Sequence, residues 1–277
     1  MTMAGRCAAG AAALALVVSL AGCRANANKP SAASGTPRTA AEALDQAVKR
    51  LGSVTSYQAS VSLSTFVGKE RRRLAGEVTS RSKDQALEYD VPFTNTGWEG
   101  DPGSSEILLG DKLYIKNLKL LEFIHKPWIG LSLSALKPAD TDVMALVAQV
   151  RQPDPLLHAR MFTASKDVHT VGREKTAGTP TTRYQGTFAL SEALTKLSPA
   201  ERTEAQLIYG PFGTTPYFEV WIDDQRLIRK INLVNRRGTK RRLNTTVNYS
   251  TFDTPVTITP PAPKDVKNLN HPKGIPV

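Results

Sequence analysis

Thiols are nearly absent from this chain: of 277 residues only Cys7 and Cys23 are cysteine, and both fall in the first 23 positions. That excludes a disulfide framework and a thiolate metal cluster, which need several cysteines at defined spacings. Acidic residues are also short, 25 against 36 Lys+Arg, which leaves a formal net charge of +11. Aromatics make up only 6% of the chain. The uncharged apolar stretch over residues 8–20 falls short of the roughly 20 apolar residues that a spanning helix requires. Signatures of catalysis are missing too: no G-x-S-x-G elbow, no H-E-x-x-H and no glycine-rich phosphate loop occurs. The four histidines, His125, His158, His169 and His271, are scattered over unlike segments. They read as surface or satisfied core residues rather than as a metal set or a triad. No enzymatic activity and no cofactor is expected. With 40% apolar residues the chain still has enough to bury a core, which excludes wholesale disorder.

What is present begins at the N-terminus. Arg6 supplies a short positive region, residues 8–20 an apolar core, and small residues follow. This is the layout of a secretory signal, assigned to residues 1–22. Leu20-Ala21-Gly22-Cys23 resembles the bacterial lipobox. The resemblance implies acylation of the Cys23 sulfur, cleavage before it, and a mature chain held on the extracytoplasmic face of the cell membrane. Two acyl chains anchor stably where one binds only marginally. Residues 23–38, rich in Ala, Ser, Asn and Pro without periodicity, read as a flexible tether.

From residue 39 the pattern becomes that of one domain, taken as residues 39–262, with a proline-containing tail over 263–277. Ala43, Leu44, Ala47, Val48 and Leu51 recur at helical spacing, with Thr39 as N-cap, Glu42 three residues on, and Gly52 at the end. The period then changes to two. Tyr57, Ala59, Val61 and Leu63 alternate with polar residues, as do Leu74, Gly76 and Val78, then Leu87, Tyr89 and Val91. Ile107 and Leu109 pair with Leu113 and Ile115 across Gly110-Asp111 as a hairpin. The theme repeats over residues 182–190, 217–223, 227–235 and 242–251. Helical stretches fall at 141–150, 154–164 and 191–207, the last broken at Ser198-Pro199. About ten antiparallel strands with a few helices make an α+β fold. A sheet of that length must curl, and helices laid on its apolar face would close one side.

Three passages stand out together: Val171-Gly172-Arg173-Glu174 with the run from Gly178 to Tyr184; Phe218 to Asp223 with Leu227-Ile228-Arg229-Lys230; and the closing stretch from Val247 to Ile258. They resemble one known group, the LppX/LprG lipoprotein family of mycobacteria. With the early helix and Ser56-Tyr57 they fall in family order across most of residues 40–262. Residues 92–140 depart from the pattern. The resemblance implies a single curved antiparallel half-barrel of LolA-like shape, with helices on its concave face enclosing an apolar cavity for acyl chains. The implied function is binding or carrying lipids or lipoglycans within the cell envelope. The alternative is an envelope regulatory or structural interaction lipoprotein on the same fold, and an envelope transporter or assembly partner is compatible with either.

The alternating apolar sets name the candidate cavity lining: Val61, Leu63, Leu87, Tyr89, Ile107, Leu109, Phe218, Val220, Ile222, Ile231, Leu233 and Val247. Asp223-Asp224 reads as a hairpin turn, because adjacent strand residues point to opposite faces. Phe123, Ile124, Trp128, Ile129 and Leu131 form either core or an apolar lip, and Trp98 and Trp221 either core or rim. Two basic runs remain, residues 71–73 and residues 236–242. In an exported chain no nucleic-acid partner is expected for them. They make either a solvated face or a surface for anionic headgroups or cell-wall polymers.

Overall fold

The computed structural model describes residues 39–91, 103–117, 124–136 and 141–269. The expected leader, Cys23 and the expected tether, with Trp98, Phe123 and His271, lie outside the described residues.

Helix α1 (Ala40–Leu51) starts where Thr39 Oγ1 accepts a hydrogen bond from the Glu42 N–H at 3.1 Å. Its buried face is Ala40, Ala43, Leu44, Ala47 and Leu51, the i, i+3/i+4 stripe that the periodicity predicts. Helix α2 (Thr141–Arg151) and helix α3 (Pro155–Phe162) follow the sixth strand. Asp154 caps α3, its Oδ1 accepting from the N–H groups of Leu156 and Leu157, with Pro155 in the first turn where a missing N–H costs nothing. The break at Ser198-Pro199 separates α4 (Leu190–Leu194) from α5 (Pro199–Tyr209). There Ser198 and Glu201 form a reciprocal capping box, which ties the hydroxyl, the carboxylate and two backbone N–H groups together. Helix α1 packs against α3, and α2 against α5.

Among the described residues twelve strands form one open sheet: β1 (Ser56–Val67), β2 (Glu70–Arg81), β3 (Ala86–Val91), β4 (Ser104–Leu109), β5 (Lys112–Asn117), β6 (Trp128–Ser132), β7 (His169–Thr176), β8 (Thr179–Thr187), β9 (Tyr217–Asp223), β10 (Ile228–Arg237), β11 (Arg241–Phe252) and β12 (Val266–Leu269). Their order is β12-β6-β5-β4-β3-β2-β1-β11-β10-β9-β8-β7. Two antiparallel meanders, β1 to β6 and β7 to β11, therefore meet along a seam where β1 pairs with β11, Val61 opposite Val247. The expectation of a purely antiparallel sheet needs correcting at one edge, where β12 runs parallel to β6 and makes the sheet mixed. The sheet also runs past residue 262, since Val266–Leu269 belongs to it. Gly130 permits this contact: a Cβ there would stand 2.6 Å from Asn268 Oδ1.

Alternation along the strands sorts side chains onto two faces. One face, with Ala59 and Val61 of β1, Val78 of β2, Leu113 and Ile115 of β5, and Ile231 and Leu233 of β10, joins helices α1 to α5 in a continuous apolar core. Against the opposite face lies a smaller cluster in which Ile258, from the segment after β11, covers Ala86 and Ile107. Arg81 fastens that segment by donating to the carbonyls of Val256 and Ile258, each at 3.3 Å. Thr36–Val277 is a compact unit that contains all of these contacts.

Candidate functional site

Nine of the twelve predicted lining residues share the helix-covered face and are buried: Val61, Leu87, Tyr89, Phe218, Val220, Ile222, Ile231, Leu233 and Val247. Leu63 joins them half-buried. Ile107 and Leu109 do not. They point to the other face, with Ala86, Tyr114, Trp128 and Ile258, and Leu108 takes the core position between them. The cause is Glu106. In Glu106-Ile107-Leu108-Leu109 three apolar residues in a row carry no alternation, so the charge is the sole guide to which face is wet. The fold buries that carboxyl.

Glu106 is 3% exposed and sits on the core face between Tyr89 of β3 and Ile115 of β5. Its Oε2 has no hydrogen-bond partner among the described residues. Burial pushes this carboxyl up to about 7, partly offset by the Ser104 hydroxyl. Burial likewise raises the Tyr89 phenol, and the nearby Glu106 charge raises it further.

The helices fill part of the space over the sheet. Phe162 of α3 stacks on Phe218 of β9 with ring centroids 4.1 Å apart and planes 5° from parallel, and Phe188 leans against both. Such stacking contributes about 0.5–1.5 kcal/mol beyond area burial. Beside this packed half lies a cleft of about 390 Å³ between β1–β3 and the helices. Leu51, Val54, Tyr57 and Leu87 make its apolar wall, with Leu156 and Leu157 of α3 opposite. Its polar rim holds Arg151, Asp154, Glu201 and Glu204. Arg151 pairs with Glu204 at 2.6 Å, and Arg160 with Glu201 at 2.9 Å, which braces α2 and α3 against α5. Burial raises the Asp154 carboxyl, while the two helix N–H groups it caps pull it back down.

Under the helices runs a polar network that no sequence pattern announced. His158 is fully buried; its Nδ1 lies 3.0 Å from the Asp154 carbonyl and its Nε2 2.9 Å from the Tyr209 hydroxyl. The carbonyl only accepts, so Nδ1 carries the proton and Nε2 accepts from Tyr209. Gln152 donates to the same hydroxyl, and Asn235 donates to the Tyr209 carbonyl at 2.9 Å. Desolvation lowers the His158 pKa to about 4, so the ring is neutral at pH 7. His158 is thus a satisfied core histidine. His169 lies at the surface against the Asp167 carbonyl and Gln185. Asp223 accepts from the N–H groups of Gln225 and Leu227 and pairs with Arg229 at 2.7 Å, the turn role read from its position. Trp221 lies on the face away from the helices, donating to Glu174 and flanked by Lys230. Among the described residues no three His, Cys, Asp or Glu side chains gather as a metal set, and no helix is long and apolar enough to cross a membrane.

No family model and no curated protein sequence matches the chain. Solved structures do. The lipoprotein LppX of Mycobacterium tuberculosis superposes with a TM-score of 0.47 at 15% identity, over 79% of this chain and 98% of that one. LprF from Mycobacterium bovis does so with a TM-score of 0.47 at 15% identity, over 80% and 97%. A LolA superfamily protein from Nitrosomonas europaea follows with a TM-score of 0.34 at 10% identity, over 80% and 96%. The first two are lipoproteins of the family whose motifs the sequence resembles.

Proposed function

We propose that this chain is an exported lipoprotein, anchored through Cys23, that shelters the acyl chains of a lipid or lipoglycan between its sheet and its helices. The observation that carries this reading is the cleft of about 390 Å³ that continues the apolar sheet face outward between β1–β3 and the helices. That volume falls within the roughly 300–1,000 Å³ of small-molecule sites. Each methylene withdrawn from water there contributes about 0.8 kcal/mol, so an apolar wall needs few polar groups to retain a long chain. The charged rim of Arg151, Glu201 and Glu204 suits a headgroup that stays wet while the chain is buried. LppX/LprG-like motifs and a lipobox in one sequence support the same reading.

The stacked Phe162–Phe218 pair favours a second reading, in which the layer is a filled core and the molecule acts on a protein partner in the envelope. Mass spectrometry of organic extracts separates the two. Residues 24–277, purified without the leader, should carry stoichiometric acyl lipid. Ala200→Trp, at an exposed position on the cleft wall, should lose that lipid with its melting temperature unchanged. Absence of lipid from the unaltered chain, together with capture of a defined envelope protein, would establish the second reading instead.

A further inference from the structure

The two basic runs, 165 residues apart in the chain, come together in the fold. Residues 69–73 form the start of β2 and its turn from β1, and residues 236–242 the turn from β10 into β11. Because β1 pairs with both β2 and β11, the two turns stand side by side at one end of the sheet: Phe66 faces Arg71 on one side and Arg242 on the other. The Gly68 N–H donates to the Lys240 carbonyl at 2.8 Å and ties the turns together. Four neighbouring strands at about 4.8 Å spacing thus collect nine Lys and Arg side chains within roughly 15 Å. Glu70 is the one acid among them.

This concentration opposes folding. Arg236 lies directly across from Arg242, and Arg237 from Arg241, so two cross-strand pairs set like charges face to face. Among the described residues none of these four arginines forms an ion pair with a carboxylate. Within the cationic tip, Val67 is 40% exposed, a large apolar side chain in water, and Phe66 lies half-buried beneath the Arg71 guanidinium at 5.2 Å. Cations around an exposed apolar point match a surface that offers negative charge outside and hydrocarbon just within. A wholly polar polyanion would satisfy the arginines and leave Val67 in water.

We infer that the paired β1–β2 and β10–β11 turns are a docking tip for the anionic phospholipid surface of a bilayer, the arginines binding headgroup phosphates and Val67 entering the acyl boundary. This goes beyond the acyl-chain reading and stands without it, because it uses no residue of the cleft or core. It concerns how the folded domain rests on a membrane rather than what it holds.

Vesicle flotation tests it, using residues 24–277, whose compact unit contains the whole described core. The chain should float with phosphatidylcholine vesicles containing 30% phosphatidylglycerol at low salt, remain unbound with pure phosphatidylcholine, and come off at 0.5 M NaCl as counterions screen the tip. A basic residue near an anionic surface raises partitioning about fivefold. The combined Arg71→Glu, Arg73→Glu, Arg236→Glu and Arg241→Glu variant, which reverses one member of each facing pair, should therefore bind more than about 100-fold more weakly with an unchanged or higher melting temperature. Reversing Lys83, Lys112, Lys175 and Lys267 instead alters net charge equally and should cost far less. Val67→Ser should weaken binding several-fold and leave the salt dependence intact. Equal loss in the two charge variants, or binding to neutral vesicles as strong as to anionic ones, would overturn the inference. So would a tip variant that loses DNA-cellulose but keeps vesicles, since the tip would then serve a soluble polyanion.

Discussion

At the scale of single residues, two buried ionisable groups push stability in opposite directions with pH. Glu106 keeps its proton in the folded chain up to about pH 7, whereas an unfolded carboxyl releases it near 4.5. The folded state therefore binds more protons between those values, and stability falls as pH rises through that window. Glu106→Gln should add about 3 kcal/mol above pH 7 and nothing below pH 4.5, read from denaturant midpoints across the range. His158 works the other way. Its folded pKa of about 4 lies below the ordinary 6.5, so acidification protonates the unfolded chain first. Its contribution is whole above pH 6.5 and falls by about 3 kcal/mol by pH 4. His158→Gln should be less stable at pH 7 yet show a flatter decline between pH 6.5 and pH 4. An unchanged slope would mean that the decline comes from the carboxylates alone.

At the scale of elements, Val220 probes how the layer between sheet and helices is packed. It is fully buried on β9, within the face that α3 covers. Enlarging a filled site forces neighbours off their rotamers at about 1–3 kcal/mol, so Val220→Trp should lower the melting temperature by several degrees. A melt unchanged by this substitution would reveal empty space beneath β9. Elements were legible in the sequence where a local chemical signal coincided with a change of period. Ser198-Pro199 marked a break and proved to be a capping box; Gly110-Asp111 marked a two-residue turn and is one. Legibility failed where burial overrode pattern. Glu106 in β4 reversed the apparent faces of Ile107 and Leu109, and β12 is four residues of mixed character whose pairing with β6 depends on tertiary contact alone. The cleft was beyond reach for a different reason, since a buried side chain reads the same whether a helix or a ligand lies over it. The His158–Tyr209 hydrogen bond joins residues 51 positions apart and left no local trace.

For the whole molecule, the proposed anchor at Cys23 is the clearest handle on where the domain works. Cys23→Ala should release the chain from membranes or stall it as an uncleaved precursor, scored by detergent partitioning and by mass. Unchanged partitioning of the mature form would remove the lipid anchor from the proposal. The nine-cation tip then becomes a second point of contact, independent of acylation.

The seam between β1 and β11 has a kinetic consequence. Its partners are nearly 200 positions apart, as in the hydrogen bond from the Asp253 N–H to the Ser56 carbonyl. Each meander can zip up from neighbouring hairpins, but the core strand β1 keeps one edge bare until almost the last residue of the domain has been delivered. Closing so long a loop precedes any gain from the contacts it makes, so this step should limit the folding rate. Until then the first meander waits with its edge unpaired, open to other chains, and a premature stop anywhere before residue 241 would leave it so permanently.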